Sequence, residues 1–312
     1  MTITQLEYII AVSDCNSFAK AAEKCHVTQP TLSMQIKKLE TELNILLFDR
    51  SKKPVRPTEM GIQVIEQARV SLGEISRIQY LIESKEDDCS GEIRLGIIPT
   101  LSPYLMPLFA VQFVERYPNI TFTVKEMLSE DILYNLYNNH LDLGILVALS
   151  SNSVLQQIPL FYEPFVAFLS PNHPLSIHSE IDFNDLDLSD MWLLKEGHCF
   201  RNQIINICGE NPMKENKNRL RFESGSLETL RRIVEKQSGY TLLPELATLD
   251  MSPIQKGLVR EFSKPKPLRE ISLVINRSFA KRRIIKSLQR IILENIPPHL
   301  TQKGGGKAID WK

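Results

Sequence analysis

The sequence predicts an α+β protein of more than one domain: a winged helix-turn-helix domain, a long linker helix and a two-lobed α/β domain. Three observations predict this plan. The chain has 312 residues, enough for at least two domains. Helical hydrophobic periodicity occupies the first quarter, and alternating strand and helix patterns follow it. We place the boundaries at residues 1–58, 59–90 and 91–300, and we expect a disordered tail at residues 301–312.

Composition and charge restrict the class of protein. The chain is 43% hydrophobic and 24% charged, with a formal net charge of zero, as in ordinary globular proteins. No run approaches the roughly 20 apolar residues of a membrane span, and the N-terminus lacks the features of a signal peptide. We therefore expect a cytoplasmic protein without membrane contact. Its five cysteines are then normally reduced, and an odd, sparse set does not indicate a structural disulfide framework.

Three helices are predicted in the first 43 residues. Apolar residues recur at helical spacing over residues 4–13, and Ser17 is placed to cap a short alanine-rich helix over residues 18–24. Thr28 is placed to cap a third helix over residues 29–43, with Pro30 in its first turn, where a missing N–H costs nothing. A short helix, a tight turn and a helix with a polar front face form a helix-turn-helix.

The polar face of the third helix and the basic run after it predict a DNA interface. Residues 47–48 and 54–57 are expected to form a small β wing around the run RSKKPVR, residues 50–56. For that run alone, a solvated turn stays an open alternative. Side chains of these types reach base edges and phosphates in a major groove. The predicted DNA-binding residues are Thr28, Gln29, Pro30, Thr31, Ser33, Gln35, Lys37, Arg50, Lys52, Lys53 and Arg56.

A long linker helix is predicted from residue 59 to about residue 86, capped by Thr58. Apolar residues recur along it every three or four positions, which suits pairing with a second copy of the helix or packing on its own domain. The acidic segment 83–91 then indicates a hinge, in which we expect Cys89 to be exposed. We expect Cys15 and Cys25 to be packing residues of the first domain. The apolar positions of the linker helix are Ile62, Ile65, Ala68, Leu72, Ile75, Ile78 and Ile82.

Strand and helix patterns alternate from residue 92 onward, which predicts an α/β domain with a parallel sheet. Two such sets, joined by two crossings, make two lobes around a cleft, the plan of periplasmic binding proteins. The predicted strands cover residues 93–98, 120–127, 141–148, 165–169, 192–194, 220–222, 240–243 and 270–275. The predicted helices cover residues 104–116, 131–140, 227–237 and 280–295, and one more begins near residue 200.

The first 61 residues resemble the LysR-type transcriptional regulators. The stretches that carry the resemblance are FAKAA at 18–22, TQPTLSMQIKKLE at 28–40, LFDR at 47–50 and Pro57-Thr58 followed by Gly61. The resemblance implies an activator that binds promoter DNA as a dimer or a dimer of dimers, works with RNA polymerase and is controlled by its C-terminal domain. It implies neither an enzyme nor a cofactor or metal.

The second half is similar to the peroxide-sensing members of that family. The stretches are GIIPT at 96–100, PYL at 103–105, LKEGHCFRNQ at 194–203, SLETLR at 226–231 and GYTLLP at 239–244. The resemblance implies that Cys199 reacts with hydrogen peroxide and that Cys208 is its disulfide partner. It further implies that Thr100 and His198 belong to the peroxide pocket, with Ser129 where a threonine is usual. A thiol reductant such as glutaredoxin or thioredoxin would reset the pair.

The residues around Cys199 fit such chemistry by themselves. Cys199 stands at a predicted helix start, beside His198 and two residues before Arg201, and both a cation and a helix N-terminus favour a thiolate. Hydroxyl groups at Thr100 and Ser129 would hold the peroxide and donate to its leaving oxygen. If residues 200–208 are helical, the two α-carbons lie about 13 Å apart, whereas a disulfide tolerates at most about 7 Å. Disulfide formation then requires that this helix unwind.

Other interpretations remain open. On spacing alone, Cys199 and Cys208 are more often small hydrophobic side chains of a helix than redox groups. A LysR-type regulator that binds a small metabolite in the interlobe cleft is the alternative function, with both cysteines incidental. A thiol peroxidase is disfavoured because a helix-turn-helix has no role in turnover. A periplasmic solute-binding protein is disfavoured because the signal peptide is missing.

Overall fold

The computed structural model describes residues 1–52, 54–83, 90–148, 155–208, 222–276, 279 and 282–310, with no side-chain description for 76–83 and 282. Two compact units divide the chain. The first is built mainly from Met1–Asp87, and the second consists of Asp88–Leu136, Leu141–Arg277 and Arg282–Lys312. Several predictions therefore lie outside the described residues: those for Lys53, Cys89, most of the hinge, the side chains of Ile78 and Ile82, and most of the strand at 220–222.

The first unit has the predicted helix-turn-helix with a wing. Its elements are α1 Ile3–Cys15, α2 Phe18–Lys24, α3 Gln29–Leu43, β1 Phe48–Asp49, β2 Arg56–Pro57 and α4 Glu59–Glu83. The predicted caps are confirmed, because the Ser17 and Thr28 side chains accept from the backbone N–H groups of Lys20 and Thr31. The wing is also confirmed as an antiparallel pair in which Phe48 lies opposite Pro57.

One apolar core holds this unit together. Ile9, Leu32, Ile36 and Leu39 are completely buried in it, and Ile65 of α4 joins them. Packing of the linker helix on its own domain is therefore confirmed for its first turns, whereas its pairing with a second copy stays a prediction. Asn44 ends α3 in the left-handed conformation, with φ of 54°, which asparagine tolerates better than most residues.

The second unit is a mixed α/β structure. Its strands are β3 Gly91–Ile97, β4 Ile120–Glu126, β5 Leu143–Val147, β6 Leu155–Leu169, β7 Glu180–Ile181, β8 Tyr240–Pro244, β9 Val259–Phe262, β10 Pro267–Asn276 and β11 Lys307–Ala308. Its helices are α5 Ser102–Arg116, α6 Ser129–Tyr137, α7 Cys199–Cys208, α8 Leu227–Lys236, α9 Pro253–Lys256 and α10 Arg282–Asn295.

The two lobes share two long strands. The described strands run in the order β4-β3-β5-β10-β6-β9-β7, with β8 also on β6 and β11 on β10. The strand β3 is parallel to β4 and β5, but β10 is antiparallel to both β5 and β6. The two-lobed α/β plan is confirmed, whereas the prediction of a parallel sheet is wrong for the pairs of β10 with β5 and β6 and of β6 with β8 and β9, and β7 on β9 and β11 on β10 are again parallel.

The strand β6 is much longer than predicted. It begins at Leu155, ten residues before the predicted start. Pro159 and Pro164 lie within it, although proline in a sequence argues against a central strand. The structure accommodates Pro159 next to a shift in register between Ile271 and Ser272 of β10. The predicted strand at residues 192–194 is wrong, because Met191 and Leu194 form only isolated bridges, to Tyr240 and Ser224.

The prediction of a disordered tail is wrong for the described residues 301–310. Thr301 ends a short 3-10 turn, and Lys307–Ala308 pairs with β10 as the parallel strand β11. A Cβ atom at Gly306 would meet the Leu268 side chain at 2.3 Å, so glycine permits this close approach. Composition alone indicated disorder because glycine-rich segments are usually flexible.

Candidate functional site

The predicted pocket hydroxyls lie at the carboxyl ends of two neighbouring parallel strands. Thr100 follows β3, and Ser129 is the first residue of α6, three residues after β4 ends. Ligand sites form where the carboxyl ends of parallel strands meet, because both side chains then project from one edge. Both residues are buried, with 2% of Thr100 and 4% of Ser129 exposed.

Cys199 begins α7, as predicted. Gly197, just before it, has φ of +92°, a conformation that glycine adopts without strain. Cys199 is 5% exposed and His198 is 4% exposed, so the thiol and the imidazole are both inside the protein. The next residue, Phe200, is completely buried and stacks on Phe165 of β6, which fixes the start of the helix in the core.

A fully buried ion pair that sequence reasoning missed organises this pocket. Arg269 of β10 lies directly opposite Glu163 of β6, and its Nη2 and Nε atoms are 2.7 and 2.8 Å from Glu163 Oε2. Arg269 also donates to Thr100, at 3.0 Å to the hydroxyl and 3.1 Å to the carbonyl oxygen. Its guanidinium carbon lies 5.2 Å from the centre of the Phe200 ring. One cation thus connects the pocket hydroxyl to the residue after Cys199.

A signal for this pair was present in the sequence. Glu163 interrupts the apolar run FYEPFVAFL, and Arg269 lies beside Glu270 in the mainly apolar strand PLREISLVIN. Charged residues are almost never fully buried unless they are paired. Two opposite charges in two apolar strands therefore predict an ion pair, but sequence does not say that the two strands are neighbours.

The electrostatic surroundings of Cys199 differ from the prediction. Burial raises the pKa of the Cys199 thiol above its ordinary value, while the Ser129 hydroxyl and the Arg269 guanidinium lower it. Burial and the nearby Lys195 lower the pKa of His198, so the imidazole is neutral near pH 7. Cys199 is therefore mostly a thiol in this conformation, and the cation that acts on it is Arg269.

Arg201 has a different role from the predicted one. Its Nη1 atom donates to the carbonyl oxygen of Leu194, at 3.0 Å. The side chain thus holds the loop before α7 against the first turn of that helix. Spacing of two residues along a helix turns Arg201 away from the thiol side, since residues two apart do not share a helix face.

Two buried polar atoms in this region have unused hydrogen-bonding capacity. Ser129 Oγ and His198 Nε2 have no partner of full hydrogen-bond geometry among the described residues, although the Ser129 hydroxyl lies against the Cys199 thiol. The His198 ring lies beside Gly225, where a Cβ atom would stand 3.4 Å from Nε2. Buried polar atoms without partners are uncommon in native proteins and mark places where a small polar molecule can bind.

Cys208 ends α7 and is also buried, with 6% exposed. Burial raises the pKa of its thiol to about 12. Since α7 is one continuous helix from Cys199 to Cys208, its rise separates the two α-carbons by about 13 Å, and both cysteines are free. The structure thus places both cysteines on one helix, with α-carbons too far apart for a disulfide, and burial favours the thiol form of each.

Cys15 and Cys25 pack against the core of the first unit, as predicted. No group of described residues has the composition and spacing of a metal site. Among the described helices, none is long and apolar enough to cross a lipid bilayer.

Most of the predicted DNA-binding residues that the structure describes are exposed on the first unit. Thr28, Gln29, Pro30 and Thr31, at the start of α3, are exposed, and so is Lys37. The Thr28 and Thr31 hydroxyls lie 2.8 Å apart. On the wing, Lys52 and Arg56 are exposed, and Lys52 Nζ lies 3.5 Å from a carboxylate oxygen of Asp49.

Three further predicted DNA-binding residues form hydrogen bonds within the protein. Arg50 donates to Ser33 Oγ at 3.2 Å and to Glu40 Oε2 at 3.1 Å. Glu40 is buried and accepts the backbone N–H of Leu47 at 2.8 Å, so Arg50 and Glu40 together fix the entry to the wing. The Gln35 side chain accepts from Gln5 at 3.3 Å. Arg50, Ser33 and Gln35 are therefore less free to meet DNA than the exposed set.

Comparison with known proteins identifies the family. Residues 3–62 match the model for the bacterial regulatory helix-turn-helix protein, lysR family, and residues 87–296 match the LysR substrate binding domain. The chain belongs to the LysR family of bacterial transcriptional regulators.

Within this family its relatives include OxyR proteins. The chain is 33% identical over 309 residues to the hydrogen peroxide-inducible genes activator of Dickeya chrysanthemi, covering 99% of this chain and 100% of that protein. It is 34% identical over 274 residues to the DNA-binding transcriptional dual regulator OxyR of Escherichia coli K12, covering 88% of this chain and 89% of that protein. A full-length OxyR variant of Pseudomonas aeruginosa matches 97% of this chain and 100% of its own, with a TM-score of 0.82 and 33% identity.

Proposed function

We propose that this regulator senses hydrogen peroxide through reversible formation of a Cys199–Cys208 disulfide and activates oxidative-stress defence genes. The observation that carries the proposal is the buried Cys199 thiol, placed against the Ser129 hydroxyl and under the influence of Arg269, beside polar atoms with unused hydrogen-bonding capacity. A molecule of two oxygen atoms suits these polar groups, because it both donates and accepts hydrogen bonds and is small. The likeness to peroxide-inducible activators supports the same ligand.

In the first step the Cys199 thiolate attacks one oxygen of the peroxide. The O–O bond breaks, and the leaving hydroxide takes up a proton to become water, which leaves a sulfenic acid on Cys199. Thr100, Ser129 and His198 are the groups that we assign to holding the peroxide and stabilising its leaving oxygen. Arg269 orients Thr100 through two hydrogen bonds and lowers the free energy of the thiolate.

In the second step the Cys208 sulfur attacks the Cys199 sulfur. The S–O bond breaks and a second water leaves, so that one peroxide becomes two waters while two thiols become one disulfide. In the helical form Cys208 is too far away and too weakly acidic to react. The sulfenic acid is therefore resolved only after α7 unwinds, which couples oxidation to a change of fold. A dithiol reductant of the glutaredoxin or thioredoxin type then restores the two thiols.

The output of this switch is DNA binding and transcription. We assign base contacts to the exposed start of α3 and phosphate contacts to Lys37, Lys52 and Arg56. Pairing of two or four chains and contact with RNA polymerase complete the proposal, and promoter DNA places it in the cytoplasm. The chain acts as a regulator without catalytic turnover, because its own two thiols are consumed once in each cycle.

Mass spectrometry tests the proposal directly. The purified protein is treated briefly with near-stoichiometric peroxide, its free thiols are capped, and its digest is mapped. We expect a Cys199–Cys208 cross-link that forms quickly and reverses with a dithiol, and that is missing in Cys199→Ser. Cys208→Ser, the matched control, should instead retain a sulfenic acid at Cys199. Free thiols at both positions in the parent protein would contradict the proposal and favour a metabolite-binding regulator.

A further inference from the structure

The segment after the last 3-10 turn returns to the helix that carries the two cysteines. Residues 302–310, here called the C-terminal strap, pass the edge of β10 and end beside α7. The predicted peroxide chemistry does not use these residues, and composition alone marked them as an appendage. Their contacts show a specific role.

The strap forms two hydrogen bonds with α7 between its two cysteines. Gln203 Nε2 donates to the carbonyl oxygen of Ile309 at 2.8 Å, and Asn206 Nδ2 donates to the carbonyl oxygen of Asp310 at 2.8 Å. Gln203 is completely buried, whereas Asn206 is exposed. Since the donors are one helical turn apart, the two successive carbonyl groups of the strap meet one face of α7.

The strap is itself anchored on the sheet. Lys307 N–H donates to the carbonyl oxygen of Lys266 at 2.8 Å, and Ile309 N–H donates to that of Leu268 at 2.9 Å. The Ile309 side chain packs against the same core cluster that contains Phe200 and Cys208. The strap thus connects α7 to β10, the strand that carries Arg269.

We infer that the C-terminal strap is a restraint that keeps α7 helical and thereby sets the rate and the equilibrium of the redox switch. The inference rests on the proposed Cys199–Cys208 disulfide. Gln203 and Asn206 are four and seven residues after Cys199, inside the segment that must unwind before the sulfur atoms meet. Both strap bonds are lost in that unwinding, so the strap stabilises the reduced form relative to the oxidised form.

Asn206→Ala gives a test in which two effects have opposite signs. Alanine forms helices better than asparagine, so helix propensity alone predicts slower disulfide formation. Loss of the strap bond predicts faster formation. We expect the rate constant for conversion of the Cys199 sulfenic acid to the disulfide to rise about twofold, because the roughly fivefold effect of losing one ordinary hydrogen bond is partly offset by the better helix propensity of alanine. Consumption of peroxide in the first step should not change.

Truncation after Thr301 removes the whole strap and gives a second parent protein, in which Asn206→Ala can be tested without its partner. We expect disulfide formation about tenfold faster than in the parent, and a reduction potential about 30 mV more negative for a tenfold change in the equilibrium constant. Within the truncated chain, Asn206→Ala should no longer accelerate the step, because its partner is gone. An Asn206→Ala variant that is slower than its parent in both backgrounds would overturn the inference.

Hydrogen exchange of the reduced protein separates this inference from the proposed function. Without any peroxide, Asn206→Ala and the truncated chain should exchange the amides of residues 203–208 several-fold faster than the parent, if the strap holds the helix. Faster exchange in the variants, in a protein that forms no disulfide, would refute the proposed sensor but support the conclusion that the strap keeps α7 helical. Unchanged exchange together with normal disulfide formation would refute the strap alone.

Discussion

Arg269 and Glu163 lie directly opposite each other on two paired strands, and neither side chain is exposed to solvent. On one side of the pair, Arg269 donates a hydrogen bond to the Thr100 hydroxyl. On the other side, Glu163 accepts the backbone N–H of Leu246 at 3.0 Å. A buried ion pair of this kind adds little net stability over an apolar pair, because desolvation of both charges is costly. Its value lies in the orientation that it gives to Thr100 and in its charge near Cys199.

Breaking this pair is therefore expected to be strongly destabilising. Glu163→Gln leaves the Arg269 guanidinium buried without a counter-charge and should lower the free energy of unfolding by about 3 kcal/mol or more. Glu261→Gln is the matched control, since Glu261 forms an exposed pair with Lys266 and should cost less than about 1 kcal/mol. Urea unfolding followed by circular dichroism measures both variants. Equal losses of unfolding free energy in the two variants would show that the buried pair contributes no more to stability than the exposed one.

The pocket hydroxyl groups can be tested without disturbing the core. Ser129→Ala removes a hydroxyl that lowers the pKa of Cys199, and it should slow the reaction of Cys199 with peroxide about tenfold to a hundredfold. Ser129→Thr keeps the hydroxyl and should retain most of the rate. Competition against a peroxide-consuming reference reaction gives both rate constants. Similar rates for the alanine and threonine variants would remove Ser129 from the pocket.

The reaction of Cys199 should depend steeply on pH. Burial raises the pKa of this thiol, so at neutral pH only a small fraction is thiolate, and that fraction grows about tenfold for each pH unit below the pKa. The rate with peroxide should therefore rise continuously from pH 6 through pH 8. The neutral, buried His198 should add no inflection near its ordinary pKa. A rate that levels off below pH 7 would contradict the described surroundings of Cys199.

On the DNA-binding unit, Arg50 and Lys52 should behave differently although each substitution by alanine removes one positive charge. Arg50→Ala leaves the buried Glu40 carboxylate without its cation and should lower the free energy of unfolding of this unit by about 1 to 2 kcal/mol. Lys52→Ala, at an exposed pair, should change it by less than about 0.5 kcal/mol.

DNA affinity at several salt concentrations completes that comparison. Lys52→Ala should weaken binding to all sequences and reduce the salt slope by about one, as expected for one phosphate contact. Arg50→Ala should weaken binding more than its charge explains, because it also frees Ser33 and the entry to the wing. Identical affinities and slopes for the two variants would show that Arg50 acts only as a phosphate contact.

The sequence determined the helix-turn-helix closely. The ranges of α2 and α3, the caps at Ser17 and Thr28 and the wing follow from local signals, because capping and amphipathic periodicity act over a few residues. The sequence also placed Cys199 at a helix start and both cysteines on one helix. These are properties of neighbouring residues, and local chemistry fixes them.

Only the tertiary structure decided which distant residues meet. Glu163 and Arg269 are 106 residues apart, and Gln203 reaches a strap carbonyl 106 residues further on. Neither pairing has a local signature, since strand order and register arise from packing of the whole sheet. The same packing removed the expected charge from His198, turned Arg201 toward Leu194 and buried Cys199. The sequence alone thus determined which residues carry the chemistry, whereas burial and long-range contacts decided their protonation and their partners.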